Sequence, residues 1–337
     1  IPTILFKIEN LDPFKKTTKG NYSVDKEVLT TYIGKSEFCE LLLKFREYSG
    51  IEGKLLKSWT ECVFPDGKYH GSFYPVETSR LGSSNPNLQN LDKRKHPEIR
   101  QMIVAPEGYI LIIQDYAQLE FRVLTALSGC KKANEAIKTG YDIHMDKAIE
   151  IWGQDVINNS TEKAIKLMRY RAKNEFVFPS FYGSKSKQTA KRLGISESKA
   201  EQLLKKLWSD FPEILEWQQE ILKIYDKKRY VEIPPGRRRY APLTVNEILN
   251  TPVQGCSASI VCKAMNTLRK RGLWIMMNVH DELVVCVKEK EVKYVAEEMQ
   301  TVMETKQYPF MIDVPLQVEG CAGFNWYETI PLKELFG

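Results

Sequence analysis

The 337 residues, 43% apolar and 27% charged, suffice for a large core divided between two or three subdomains, and this balance excludes a fibrous or disordered chain. No apolar run reaches the length of a membrane span and no secretory leader is present; seven cysteines without a C-x-x-C pair fit neither a disulfide framework nor a zinc site, so an intracellular, reducing compartment is expected. The net charge of +6 is mild, but basic residues cluster in FKKTTKGNY (14–22), SKSKQTAKR (184–192) and GRRRY (236–240), a pattern that suits a polyanion, although most such clusters are solvated faces.

In chain order, residues 1–62 are expected to be mostly helical after a basic loop, because SEFCELLLKFREYSGIEGKLLKSW carries apolar residues at helical spacing. VFPDGKYHGSFYP (63–75) reads as a hairpin with Asp66-Gly67 at its turn. A polar loop, TSRLGSSNPNLQNLDKR, leads to GYILIIQD, a strand ending at Asp115; AQLEFRVLTALSG is then helical, with Gly129 as its stop. From about 130 to 230 the chain is helix-rich. Two helices divided near Asp210–Pro212 are expected there, the first capped by Ser196 or Ser198. YVEI is a short strand, and VNEILNTPVQGCSASIVCKAMNTLRKRG is a long helical segment with Pro252 at a start or a kink. A hairpin over 273–288, a helix in EVKYVAEEMQTVME and an edge strand in FMIDVPLQVEGCAG complete the chain. The order predicts an α+β fold, one antiparallel sheet carrying a large helical insertion.

NVHDELVV (278–285) interrupts an apolar, β-branched stretch with His280, Asp281 and Glu282. Adjacent carboxylates near a core are costly unless paired, metal-bound or protonated. Asp115 ends one strand and Asp281 sits at a hairpin tip, so one sheet can present both in the same small volume. A divalent cation there turns repulsion into attraction, and hard oxygen ligands completed by water and phosphate suit Mg²⁺. Two such ions can clamp the attacking and leaving oxygens of an in-line phosphoryl transfer. Taken singly, each Asp reads as a turn residue. A second cluster, MRYRAKNEFVFPSFYGSK (168–185), sets Arg169 and Lys173 one helical turn apart, a grip for a triphosphate, ahead of Phe176, Phe178, Phe181 and Tyr182, where a base can stack. A basic amphipathic helix with an aromatic core stripe has the same spacing.

DYAQLEFRVL, RYRAKNEFVFPSFYG and VHDELV resemble, in order, the three polymerase motifs of family A DNA polymerases, the bacterial DNA polymerase I type; RLGSSNPNLQN, GRRRY and NTPVQG resemble further segments of that family. The likeness runs from about Lys15 to the C-terminus. It implies a right hand: residues 1–62 a thumb remnant and its connection to the palm, 63–119 and 246–337 the palm with its antiparallel sheet, 120–245 the fingers. It implies a monomer that adds deoxynucleotides to a primer 3′-hydroxyl on primer–template DNA, using an incoming dNTP and two Mg²⁺ ions, with Mn²⁺ able to substitute.

Carried over residue by residue, Asp115, Asp281 and the Tyr116 carbonyl would hold the metals, and Glu282 would be an accessory carboxylate near the primer end. Arg169 and Lys173 would bind the triphosphate, Lys173 also stabilising charge on the leaving pyrophosphate. Gln118 and His144 resemble further triphosphate-side contacts, and Phe178 the aromatic that stacks on the nucleotide. Glu120, with Tyr182 beside it, would leave no room for a ribose 2′-hydroxyl. Arg80, Asn250 and Gln254 would touch the minor groove, whose acceptors vary little with sequence, and His280 the primer backbone.

The pattern departs from the family at several points. Tyr182-Gly183 fall one residue late after Lys173, and Pro179 replaces a Gly, so a kink or π-type bulge is expected between Lys173 and Tyr182, with Phe176 and Val177 as alternatives for the stacking position. Asn246 stands where Arg is common, Ala117 and Gly82 where Ser is common. The exonuclease and most of the thumb would lie before Ile1, so no 3′–5′ exonuclease activity and a weak grip on duplex are expected. A divergent phage or organellar enzyme fits these departures, acting in a host cytoplasm or an organelle. The rival readings are a non-catalytic nucleic-acid-binding relic and a metal-dependent nuclease; a single-subunit RNA polymerase shares the fold, against which Glu120 argues.

Overall fold

Tyr109–Tyr116 is an almost unbroken apolar run, and its middle, Leu111–Gln114, is buried on both faces, as befits a central strand. The computed structural model describes residues 1–91, 96–234, 236–306 and 308–337, apart from the side chains of Lys54 and Leu55. Its strands are β1 (Ser72–Pro75), β2 (Leu81–Ser84), β3 (Tyr109–Tyr116), β4 (Tyr230–Ile233), β5 (Arg237–Tyr240), β6 (Ile275–Val279), β7 (Glu282–Lys288), β8 (Val318–Gly323) and β9 (Ile330–Pro331). Five of them form one antiparallel sheet in the order β6-β7-β3-β8-β9. Between β3 and β6 the chain leaves the sheet for a helical insertion, as the α+β expectation required.

The chain gathers into two compact units, 1–72 with 83–87, and 73–82 with 88–337. In the first, helices Lys26–Thr31 and Glu37–Gly50 pack on Leu5, Val28, Leu29, Tyr32 and Cys39. Lys15 of the basic loop is tied to Asp25 and Glu27. Asp66-Gly67 makes the expected turn, with Gly67 at φ 73° and its N–H donating to the Phe64 carbonyl. The expected 63–75 hairpin ends early: Val63 bridges Tyr69, whereas β1 pairs with β2.

In the second unit, Gly129 ends helix Leu119–Ser128 at φ 65°. Ser196, not Ser198, caps helix Glu197–Asp210 by accepting from Lys199 N–H, and Pro212 opens the next helix, Pro212–Lys228. Pro252 lies inside the long helix Val245–Lys270 rather than at its start. Gly255 in that helix lets β4 approach, since a Cβ there would meet Ile233 Cγ2 at 2.5 Å. The expected edge strand in FMIDVPLQVEGCAG is corrected on two counts. Pro309–Met311 is a 3₁₀ turn and only Val318–Gly323 extends. That strand is also internal, because β9 covers its outer side. No helix among the described residues is long and apolar enough to cross a membrane, and no disulfide joins the cysteines.

The anticipated irregularity after Lys173 is present. Helix Glu162–Arg171 runs into a π-helix at Ala172–Val177 and returns to α geometry at Phe178–Phe181. The wide turn absorbs one extra residue and opens the ladder just ahead of Pro179, whose ring would otherwise crowd the preceding turn.

Lys147 fixes helix Ile143–Trp152 in place. It is fully buried, with Nζ at 2.7 Å from Glu150, 2.8 Å from Asp210 and 3.2 Å from Asp146. Lys206 and Lys132 support the same carboxylates from outside. Lys147→Met removes the buried cation of this cluster but leaves those outer partners, so a loss of about 3 kcal/mol in urea-unfolding stability is expected.

Candidate active site

The β3–β7 register sets Asp115 opposite Glu282, and Tyr116 N–H donates to the Asp281 carbonyl at 3.4 Å. His280 and Asp281 form the two-residue turn between β6 and β7, and His280 takes the positive φ, 57°, that such a turn demands at its first position. Buried Asn278 braces the turn from below. Its Nδ2 donates to the carbonyls of His280 (3.0 Å) and Glu282 (3.2 Å), and its own carbonyl accepts from Gln89.

The Asp281 carboxylate takes no hydrogen bond or ion pair from any described residue. Burial pushes its pKa up to about 6; Arg80 and Lys173 pull it back, and Glu120 adds to the rise. Such a carboxylate, beside the strand end that carries Asp115, fits a cation better than it fits a protein donor.

Gln118, at φ 53° and ψ 40°, turns the chain from β3 into helix Leu119–Ser128, so Glu120 falls in the first helical turn. Arg122 secures this corner: buried, it donates to the carbonyls of Ala117 (2.7 Å) and Pro315 (2.6 Å) and to Gln317 Oε1 (3.0 Å). Glu120 Oε2 accepts from the Tyr182 hydroxyl at 2.6 Å, and Arg80 pairs with its other oxygen. Burial, then the Glu120 charge, holds the Tyr182 phenol well above its ordinary pKa. The two residues expected to stand side by side do so.

Lys173 Nζ lies 5.3 Å from the Phe178 ring centroid, a five-residue step that the π turn brings onto one face. Phe178 stacks on Tyr182 at 6.2 Å and 14°. Phe176 and Val177 are fully buried in the core, which leaves Phe178 as the partly exposed aromatic beside Lys173. Arg169 Nε donates to Asp142 Oδ2 at 2.5 Å, while Asp142 Oδ1 caps helix Ile143–Trp152. His144 is wholly buried, 5.6 Å from the Phe178 ring, with neither ring nitrogen bonded to a described residue. Burial, then Lys173, pushes its pKa down to about 3 against the pull of Asp142.

The chain matches the model of DNA polymerase family A over residues 1–328. It is 32% identical to the thermostable DNA polymerase I of Thermus filiformis, over 97% of this chain and 41% of that protein, and 32% identical to DNA polymerase I of Caldicellulosiruptor bescii, over 97% and 40%. The chain belongs to DNA polymerase family A. It spans about two fifths of the length of these relatives. The POL domain of Pol1 from M. smegmatis, solved in complex with DNA primer-template and dNTP, superposes with a TM-score of 0.81 at 28% identity, covering 96% of this chain and 60% of that one, so the fold is the right-hand polymerase fold.

Family A membership implies use of a divalent metal. Among the described residues no group of three or more His, Cys, Asp or Glu side chains is gathered to hold one. Two carboxylates and a carbonyl would leave positions for substrate oxygens, a donor set that suits Mg²⁺. The other family positions are distributed as follows. Asn250 and Gln254 lie one turn apart on the long helix, with Asn250 Oδ1 buried and without a described partner. His280 is exposed. Glu282 is buried, accepting from the Trp326 indole. In GRRRY, Arg239 turns inward to Glu77, Glu247 and Thr251, so part of that basic cluster is structural. Asn246, in place of the family Arg, donates to the Tyr182 carbonyl at 3.3 Å. Gly82 is packed by Tyr74 and Val76, which a Cβ would meet at 3.0–3.1 Å.

Sequence reasoning missed Asp142, Arg122, Asn278 and Trp326. Only Asp142 carried a signal, an Asp immediately before a helical run. The folded-state pKa of His144 lies below the ordinary unfolded value of about 6.5. The unfolded chain therefore takes the proton first, so this contribution to stability is complete above about pH 6.5 and lost as pH falls toward about 3. Unfolding measured against pH should show wild type losing up to about 1.4 kcal/mol per unit more than His144→Phe across that window.

Proposed function

We propose that this chain is the polymerase module of a family A enzyme and extends a DNA primer, template-directed, with deoxynucleotides. The supporting observation is the Asp281 carboxylate, which lacks a described protein donor and sits at the hairpin turn beside Asp115, within the influence of Lys173, Arg80 and Glu120. Asp115, Asp281 and the Tyr116 carbonyl are the residues that would hold two Mg²⁺ ions, Mn²⁺ substituting. Bound there, such ions supply Lewis acidity toward the primer 3′-hydroxyl and the triphosphate.

The protein's own part is positioning and charge. Lys173 and Arg169 receive the triphosphate, and Lys173 offsets charge on the departing pyrophosphate. Arg169 must first share or leave Asp142. Phe178 stacks on the nucleotide, with neutral His144 beneath it and Gln118 on the triphosphate side. The Glu120–Tyr182 pair closes the space a 2′-hydroxyl would fill. Arg80, Asn250 and Gln254 face the minor groove and His280 the primer backbone, while Glu282 acts as an accessory carboxylate. In this reading 63–119 and 246–337 are palm, 120–245 fingers and 1–62 the thumb connection; primer–template DNA and dNTP are the partners of a monomer.

Primer extension with Mg²⁺ tests the reading. Wild type should extend with dNTPs, and Asp281→Asn should abolish extension while duplex binding persists. Nicking without nucleotides, and no extension, would instead identify a nuclease. Glu120→Ala should raise use of rNTPs relative to dNTPs by about 10–100-fold, the scale on which a pocket discriminates a single small group.

A further inference from the structure

Glu282 neighbours Asp281 in sequence, yet its surroundings are quite different. It is only 4% exposed, and Oε1 accepts the Trp326 indole N–H at 3.0 Å and lies 3.9 Å from Arg100 Nη1. The Arg100 guanidinium stacks over the Trp326 ring at 3.8 Å while donating to the Leu91 carbonyl through Nε (3.3 Å) and Nη2 (3.2 Å). Arg100 and Trp326 are themselves buried, at 6% and 4% exposure.

Trp326 is in turn fixed by backbone. Its N–H donates to the Ile103 carbonyl at 3.0 Å, and Ala105 N–H donates to the Phe324 carbonyl at 2.8 Å. Asn325 Oδ1 folds the following residues by accepting from Tyr327 N–H (2.9 Å) and Glu328 N–H (2.7 Å). Gly323 permits this fold-back, since a Cβ there would meet the Glu328 carbonyl oxygen at 2.2 Å. The loop after β8 is thus a rigid mount, and the indole N–H is aimed from it at the first residue of β7.

We infer that Trp326 and Arg100 are positioning residues for catalysis, clamping the Glu282 carboxylate so that the two-residue turn holds Asp281 in place. The inference rests on the polymerase reading above. Its physics is that of a buried carboxylate, which is stable only while its donors are present. Here the indole donor comes from the loop after β8, and the nearby Arg100 charge from the 3₁₀ segment Pro97–Met102. Without the indole N–H, Oε1 of Glu282 loses its donor at 3.0 Å, and a shift of that carboxylate disturbs the turn that Asn278 braces from the other side. Trp326 thereby acts on the reaction without touching substrate.

The test compares wild type with Trp326→Phe, which keeps the ring under Arg100 but lacks the N–H, with Glu282→Gln, and with the double variant. Three readouts are taken: steady-state primer extension, hydrogen exchange of amides 278–284 in the protein alone, and melting temperature. Trp326→Phe is expected to lower kcat about 10–100-fold, as loss of an orienting hydrogen bond behind a reacting group does, with KM for dNTP and duplex affinity unchanged, a melting temperature lowered by only a few degrees, and faster exchange across 278–284. The double variant should be no slower than the slower single variant. Unchanged kcat and exchange in Trp326→Phe, or losses that multiply in the double variant, would overturn the clamp. If Trp326→Phe does not fold, Arg100→Lys, which keeps the charge but not the planar stack, is measured in its place, and the same two results decide. Failure of wild type to extend a primer would sink the polymerase reading alone, because the exchange comparison still tests the clamp.

Discussion

The antiparallel register of β3 against β7 sets where the acids of the candidate site stand. Asp115 stands opposite Glu282, and the Tyr116 N–H reaches the Asp281 carbonyl. A slip of one residue would break both relations, because it moves one strand's side chains to the opposite face. The apolar runs on either side, Tyr109–Gln114 and Leu283–Val287, prevent that slip because both are buried in the sheet centre. The acids occupy the one place where the strands end, so core packing supplies the precision and the turn supplies the exposure. Strained backbone marks that place twice, at Gln118 and at His280, both with positive φ.

The second half of the site depends on a helix that tolerates an insertion. Glu162–Phe181 carries Arg169, Lys173 and Phe178 through α, π and α geometry in succession and ends at Tyr182. A residue added to a regular helix rotates everything beyond it by about 100°. The π turn cancels that rotation locally, so Lys173 and Phe178 still share a face and Tyr182 still reaches Glu120. Pro179, awkward in a regular helix, falls just after the turn that makes room for it. Insertion and proline are one local solution rather than two defects.

Much of this was legible in the chain itself. Strand ends at Asp115 and at the 278–285 hairpin followed from apolar runs broken by acids, and the helix stop at Gly129 followed from its residue type. The bulge after Lys173 followed from counting residues to Tyr182 and from Pro179. What stayed hidden were partnerships between distant residues. Trp326 on Glu282, Arg122 on Pro315 and Lys147 on Asp210 join segments that no periodicity relates. The edge-strand reading of FMIDVPLQVEGCAG failed because a two-residue strand, too short to leave a pattern, pairs outside β8. The burial of His144 against Phe178 left no mark in the sequence either.

The central claim is that residues 115 and 281 share divalent ions at the joined ends of β3 and β7. Anomalous diffraction from crystals holding Mn²⁺, a terminated primer–template and an incoming dNTP measures this directly. The account predicts manganese peaks between the two carboxylates, with the triphosphate completing the coordination. Manganese bound away from either carboxylate, or side chains too far apart to share an ion in that complex, would contradict it.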